Sequence, residues 1–204
     1  QTLLSADYSQ IELRIMAHLS GDETLIEAFR RRLDIHRYTA ALVAGMEPQD
    51  VDDTLRARAK AVNFGIIYGM SEFRLAREQG MSREDARAFI DAYFARYPKV
   101  RAYIDRVESE VQSSGEVRTL FGRRRLFPEL LEPEGSRARP NAPAREQLLR
   151  QAVNTTVQGT AADIVKRAMV RLEAALEGSR ARLLLQVHDE LVLEVPADQA
   201  DAVT

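Results

Sequence analysis

Leu183-Leu184-Leu185-Gln186-Val187-His188-Asp189-Glu190-Leu191-Val192-Leu193-Glu194-Val195 sets two short apolar runs on either side of a polar break. Runs of this length and composition read as the two strands of a β-hairpin with its tip at Asp189. A second aspartate, Asp7, closes the apolar run Thr2-Leu3-Leu4-Ser5-Ala6 at the other end of the chain. If the fold lays that run beside the hairpin, two carboxylates meet on one sheet edge. Ionised carboxylates that close repel each other unless cations sit between them. Hard oxygen donors suit Mg²⁺, and Mg²⁺ pairs about 3.5–4 Å apart recur in phosphoryl transfer.

The rest of the composition narrows the class. A chain of 204 residues is one large domain or two small ones; 45% hydrophobic residues suffice for a core, and 29% charged residues favour solubility. No apolar run is long enough to span a bilayer, and no charged-then-apolar leader opens the chain. The absence of cysteine excludes disulfides and thiolate metal sites, and a cytoplasmic protein is expected. Net charge is only −2, but it is unevenly spread: Gln1 to Asp53 holds ten acids and five basic residues, while Arg118 to Arg150 holds eight arginines and four acids. An acidic zone for metal ions and a basic zone for phosphates would fit a nucleic-acid enzyme, although segment counts alone favour plain solvated faces. Gln1-Thr2-Leu3-Leu4 begins inside a strand pattern and Ala200-Asp201-Ala202-Val203-Thr204 stops inside a helical one, so a piece of a longer protein is expected.

Between the two aspartates the chain reads as mostly helical. Asp22, Asp34, Asp52 or Asp53, and Ser82 stand where N-caps belong, and Gly45, Gly80 and Gly115 where helices stop. Glu116 to Arg125 reads as a small hairpin with a basic second arm. Pro128 to Pro143, with four prolines and one glycine, is expected to be a mobile loop. Two helices, Ala144 to Val157 and Ala161 to Glu177, are expected to join at Gly159, and Pro196 to begin a last helix.

The helix from Asp53 to Tyr68 separates into two faces. Arg56, Lys60 and Asn63 fall on one polar side, and Ala57, Ala61, Phe64 and Tyr68 line the adjacent one. Arg and Lys one turn apart suit a triphosphate, the first as a fork and the second as a point charge. Phe64 and Tyr68 suit stacking on a sugar and a base. Taken alone, the same helix reads better as an ordinary amphipathic element with a solvated basic face and aromatics in the core.

Its neighbours decide. Asp7-Tyr8-Ser9-Gln10-Ile11-Glu12-Leu13-Arg14, then Arg56, Lys60 and Asn63-Phe64-Gly65-Ile66-Ile67-Tyr68-Gly69, then Val187-His188-Asp189-Glu190 occur in this order. Together they resemble motifs A, B and C of the family A DNA polymerases, the bacterial DNA polymerase I group. Asp34-Ile35-His36, Thr119-Leu120-Phe121-Gly122-Arg123-Arg124-Arg125 and Val157-Gln158-Gly159-Thr160-Ala161-Ala162-Asp163 extend the resemblance over nearly the whole chain. One departure is the Pro128 to Pro143 stretch, longer and richer in proline than this connection usually is.

The resemblance implies an α+β fold: an antiparallel palm sheet with a mostly helical fingers subdomain, truncated so that no thumb is present. Residues 1–20 would be palm, 21–115 fingers with the motif B helix at about 54–68, and 116–204 palm again with the motif C hairpin at about 182–195. It implies template-directed nucleotidyl transfer from a dNTP to a primer 3′-hydroxyl by two Mg²⁺ ions, with the piece alone weakly active or inactive. Asp7 and Asp189 would be catalytic and would hold the metals, with the Tyr8 carbonyl as a further ligand. Arg56, Lys60 and His36 would contact the triphosphate, Glu12 would crowd a ribose 2′-hydroxyl, Phe64 would pack on the deoxyribose, and Tyr68 would occupy the template-base position. Arg150, Asn154, Gln158 and His188 would read the minor-groove side of the primer-template end, and Arg123, Arg124 and Arg125 would touch its backbone. Primer-template DNA and dNTP are the implied partners of a monomer associated with the nucleoid. A phage-type single-subunit RNA polymerase and a non-catalytic binding remnant are the rival readings; Glu12 argues against the first and the paired aspartates against the second.

Overall fold

Five carboxylate and hydroxyl caps, Asp22, Asp34, Asp52, Ser71 and Ser82, divide the helical part of the chain. In the computed structural model, which describes residues 1–133 and 135–200, strand β1 (Thr2–Asp7) leads into α1 (Ile11–Ser20), α2 (Glu23–Arg30), α3 (Ile35–Ala44), α4 (Asp53–Ile67), α5 (Glu72–Gln79), α6 (Arg83–Arg96) and α7 (Pro98–Ser114). Asp22 accepts from the Leu25 amide, Asp34 from those of His36 and Arg37, Asp52 from that of Leu55, and Ser82 from that of Asp85. Each satisfies amides that the first helical turn leaves without partners. Asp52, not Asp53, therefore starts α4.

The hairpin β2 (Glu116–Arg118) and β3 (Arg124–Leu126) follows, then α8 (Ala142–Ala175) and the hairpin β4 (Arg182–Val187) and β5 (Glu190–Val195). The three-stranded sheet is antiparallel in the order β1-β5-β4. Its register pairs Thr2 with Val195, Leu4 with Leu193 and Asp7 with Glu190. On the central strand Leu191, Leu193 and Val195 are buried, while most of β1 and β4 is exposed. The core continues through Leu13 and Met16 of α1, Val62 and Ile67 of α4, Tyr93 and Tyr97, and Val153 and Val157 of α8. Helix α1 packs against α4, α7 and α8, so the segment after Asp7 is clamped from three sides.

Two expectations change. No break occurs at Gly159: α8 runs unbroken for 34 residues, about 50 Å at the helical rise. The glycine is there for close approach. A Cβ on it would meet Thr119 Cγ2 at 2.7 Å, and the Arg123 guanidinium donates to its carbonyl at 2.8 Å. The expected loop from Pro128 to Pro143 shortens at both ends, into a 3₁₀ turn at Pro128–Leu131 and into α8, whose first turn takes Pro143 after the Asn141 cap; Glu134 lies outside the described residues. After Pro196 the chain makes the 3₁₀ turn Ala197–Gln199 and Ala200 is helical; the rest of the expected last helix, residues 201–204, lies outside the described residues. Among the described residues no helix is long and apolar enough to cross a membrane.

Candidate active site

The end of the strand that carries Asp7 is joined through the backbone to the turn that carries Asp189. The Tyr8 amide donates to the Asp189 carbonyl at 3.2 Å, directly beyond the Asp7–Glu190 register pair. The turn that presents Asp189 is two residues long, and His188 within it sits at φ 57°; Gln10, which leads into α1, sits at φ 56°. Left-handed backbone at residues other than glycine costs on the order of 1–3 kcal/mol and persists where surrounding structure over-determines it. Two such residues flank this joint. The side chain of Gln186 donates to the His188 carbonyl at 2.9 Å and braces the turn.

Both carboxylates stand without a hydrogen-bonded or ion-paired side chain among the described residues, unlike Glu190, which accepts from the Ser5 hydroxyl. The Tyr8 carbonyl accepts from Ile11 at 3.2 Å and keeps a second lone pair. No group of three or more His, Cys, Asp or Glu side chains poised for a metal occurs among the described residues. Two uncompensated carboxylates and a carbonyl nevertheless fit Mg²⁺, which takes few protein ligands and completes its shell with water and phosphate oxygens.

Asp189 borders a hollow of about 470 Å³ shared with Glu12, Phe64, Tyr68, Gln158 and His188. Asp7 and Tyr8 border a different one of about 770 Å³, with Phe121, Arg167 and Arg171. Six of the expected site residues, Asp189 among them, are thus gathered around one space; Asp7 borders the other, and its strand is tied to the Asp189 turn through the backbone. Inside it, Tyr68 donates its hydroxyl to Glu12 at 2.6 Å. Burial, reinforced by the Glu12 bond and by the Asp189 charge, pushes the Tyr68 phenol up to about 12, so it remains a donor at neutral pH.

The basic half of α4 lies apart from this hollow. Arg56 reaches the Asp34 carboxylate at 2.8 Å, and Lys60 is exposed. Burial draws the Asp34 carboxyl upward, but the Arg56 bond and the amides of α3 outweigh it and hold the group below its usual range. Asn63 is not on the polar side with them. It is fully buried, its amide nitrogen 3.1 Å from His36 Nδ1 and 3.2 Å from the Thr39 hydroxyl. His36 is buried too, its ring tilted against Phe64 at 5.5 Å.

Arg150, Asn154 and Gln158 form one stripe along α8. The stem of Arg150 lies against Gly69, where a Cβ would come within 2.4 Å, and its guanidinium is 3.6 Å from Glu146. Asn154 Oδ1 is buried without a partner, and Gln158 is exposed at the hollow. The arginine triplet is anchored to the protein: Arg123 to Asp163 at 2.8 Å, Arg124 to Glu116 at 3.3 Å, and Arg125 to Thr155 at 3.0 Å and Gln151 at 3.2 Å. Each remains at least half exposed or on an exposed edge.

Sequence reasoning missed Gln10, Gln186, Asp34 as the partner of Arg56, and Thr39. Gln10 carried no signal, since a left-handed position usually announces itself with glycine or asparagine. Asp34 was legible as a cap, but its second bond links residues on different helices.

Comparison with known proteins gives a consistent result. The sequence matches the model of DNA polymerase family A over residues 1–204. It is 55% identical over 199 residues to the thermostable DNA polymerase I of Thermus filiformis, covering 98% of this chain and 23% of that protein. Against DNA polymerase I of Pseudomonas aeruginosa it is 53% identical over 203 residues, covering 98% and 22%. The chain thus spans less than a quarter of the length of these relatives. Among solved structures it resembles the POL domain of M. smegmatis Pol1 in complex with DNA primer-template and dNTP, with TM-score 0.90, 41% identity, and coverage of 98% of this chain and 35% of that one.

Proposed function

Because this chain belongs to DNA polymerase family A, we propose that the protein carrying it performs template-directed DNA synthesis, joining a dNTP to a primer 3′-hydroxyl. The observation that supports this reading is the Tyr8–Asp189 backbone joint at 3.2 Å, which brings the end of the strand carrying Asp7 beside the turn carrying Asp189, itself on the hollow lined by Glu12, Phe64 and Tyr68. Asp7, Asp189 and the Tyr8 carbonyl would hold two Mg²⁺ ions. Bound there, the ions supply Lewis-acid activation of the primer hydroxyl and charge neutralisation at the triphosphate.

This chain's own residues do the rest. Arg56 and Lys60 on α4, with His36, bind the triphosphate. Glu12, fixed by Tyr68, occupies the space a ribose 2′-hydroxyl needs, and Phe64 packs on the sugar. Arg150, Asn154, Gln158 and His188 address the minor-groove acceptors common to all correct pairs, and Arg123 to Arg125 the phosphate backbone. Residues 1–20 and 116–204 form the palm, and 21–115 the fingers. A monomer acting at the nucleoid fits this role.

Primer extension by the whole protein that carries this chain, on a primed DNA template with dNTPs in one reaction and NTPs in another, tests the reading. Extension with dNTPs and Mg²⁺ supports it. Preference for NTPs would favour the RNA polymerase alternative, and DNA binding without extension a binding module.

A further inference from the structure

Asn63 presents its amide nitrogen to two acceptors at once, His36 Nδ1 at 3.1 Å and the Thr39 hydroxyl at 3.2 Å. The Thr39 hydroxyl in turn lies 3.0 Å from the Tyr97 hydroxyl and 3.3 Å from Asn63 Oδ1. Asn63, Thr39 and Tyr97 are each fully buried, so no water competes for these bonds. An amide nitrogen only donates. The ring nitrogen facing it must therefore accept, which leaves the single proton of a neutral imidazole on the other nitrogen, Nε2. Burial, with the Arg56 and Lys60 charges beside it, lowers the affinity of the ring for a second proton against the pull of Asp34.

We propose that Asn63 is a positioning residue that holds His36 as the Nε2–H tautomer, so that the imidazole donates rather than accepts on the side where Arg56 and Lys60 supply charge. This deepens the triphosphate role given to His36 above and rests on that reading for its purpose, though not for the tautomer itself. A neutral ring in the opposite tautomer would turn a lone pair on phosphate oxygens and repel them. A hydrogen bond to the ring nitrogen that faces away from the ligand is the recurrent way of selecting which nitrogen carries the proton. The network also explains an asparagine set among the buried residues Val62, Gly65, Ile66 and Ile67 of α4: its amide is satisfied by α3.

Long-range proton–nitrogen correlation spectra of the chain labelled with ¹⁵N-histidine test this, with His36 assigned from His36→Gln. Nε2 is recognised by coupling to both carbon-bound ring protons. The expected spectrum has Nε2 protonated and Nδ1 bare, and the Nε2 resonance shifts when a dNTP with Mg²⁺ is added. In Asn63→Asp, whose carboxylate only accepts, Nδ1 gains the proton, and in primer extension by the protein carrying this sequence the KM for dNTP rises roughly tenfold while kcat stays within about twofold. A protonated Nδ1 in the unaltered chain, an equal mixture of tautomers, or an Nε2 resonance indifferent to dNTP would overturn the inference. If Asn63→Asp fails to fold, the unaltered spectrum still decides. The expected tautomer without any primer extension would sink the polymerase reading and leave the tautomer assignment standing.

Discussion

The hydroxyl of Tyr68, at the end of α4, donates to the carboxylate of Glu12, on the first turn of α1, across 2.6 Å. The bond ties the helix assigned to the triphosphate to the segment that begins at Asp7. It also gives Glu12 a fixed direction, which a gate against a 2′-hydroxyl requires. We predict that Glu12→Ala raises the NTP-to-dNTP ratio of kcat/KM at least about tenfold, and that Tyr68→Phe raises it by less, because the carboxylate remains but loses its anchor. Single-nucleotide insertion kinetics check the order; an unchanged ratio in both variants would remove the gate from Glu12.

The raised Tyr68 phenol has a consequence for stability at high pH. Its folded value of about 12 lies above the ordinary value of 10. The folded state therefore holds the proton more tightly, and the contribution is complete below pH 10 and lost as pH climbs toward 12. After discounting for a partly solvated ring, Tyr68→Phe should remove about 1 kcal/mol of the pH-dependent loss over that window. Denaturant melts at pH 9 and pH 11 measure the difference; parallel curves for the two proteins would refute it.

Asp34 performs two tasks, capping α3 and pairing with Arg56 at 2.8 Å. Asp34→Asn keeps a capping oxygen and loses the charge, so a cost below about 1 kcal/mol is expected. Asp34→Ala loses both and should cost about 1–2 kcal/mol. The carboxyl is held below its usual range, so its stabilisation is present above the unfolded carboxylate value and lost as pH falls through the folded one. Equal stabilities for the two variants would show that the cap contributes nothing.

Gly159 offers a steric test of the α8 contact. Alanine is ordinarily the better helix former by about 1 kcal/mol. Here its Cβ would stand 2.7 Å from Thr119 Cγ2, and overpacking typically costs about 1–3 kcal/mol. Gly159→Ala should therefore destabilise, and adding Thr119→Ser, which deletes that methyl and keeps the hydroxyl, should recover most of the loss. A stabilising Gly159→Ala would mean that the hairpin is free to move away.

The pattern of these residues explains what the sequence could disclose. Caps such as Asp22, Asp34 and Ser82, and the hairpin around Asp189, declare themselves because their physics is local, within about four residues. The meeting of Asp7 with the hairpin was inferable only as a condition, since strand order is set by packing across the whole chain. Gly159 misled because a helical glycine has the same letter whether it ends a helix or lets a neighbour approach. Asn63 was placed on the polar face by its spacing, and its inward commitment depends on Thr39 and His36 of another helix. The arginine triplet was legible as charge, but its anchoring to Asp163, Gln151 and Thr155 was not.

The central claim is that Asp7 and Asp189 together hold the cations that drive nucleotidyl transfer. Primer extension and DNA binding, measured side by side for Asp7→Asn and Asp189→Asn in the protein carrying this sequence, test it most directly. The account predicts that each variant binds primer-template DNA within about threefold of the unaltered protein and extends it at least about a thousandfold more slowly, a loss of several kcal/mol of transition-state stabilisation. Extension at an unchanged rate by either variant would contradict it.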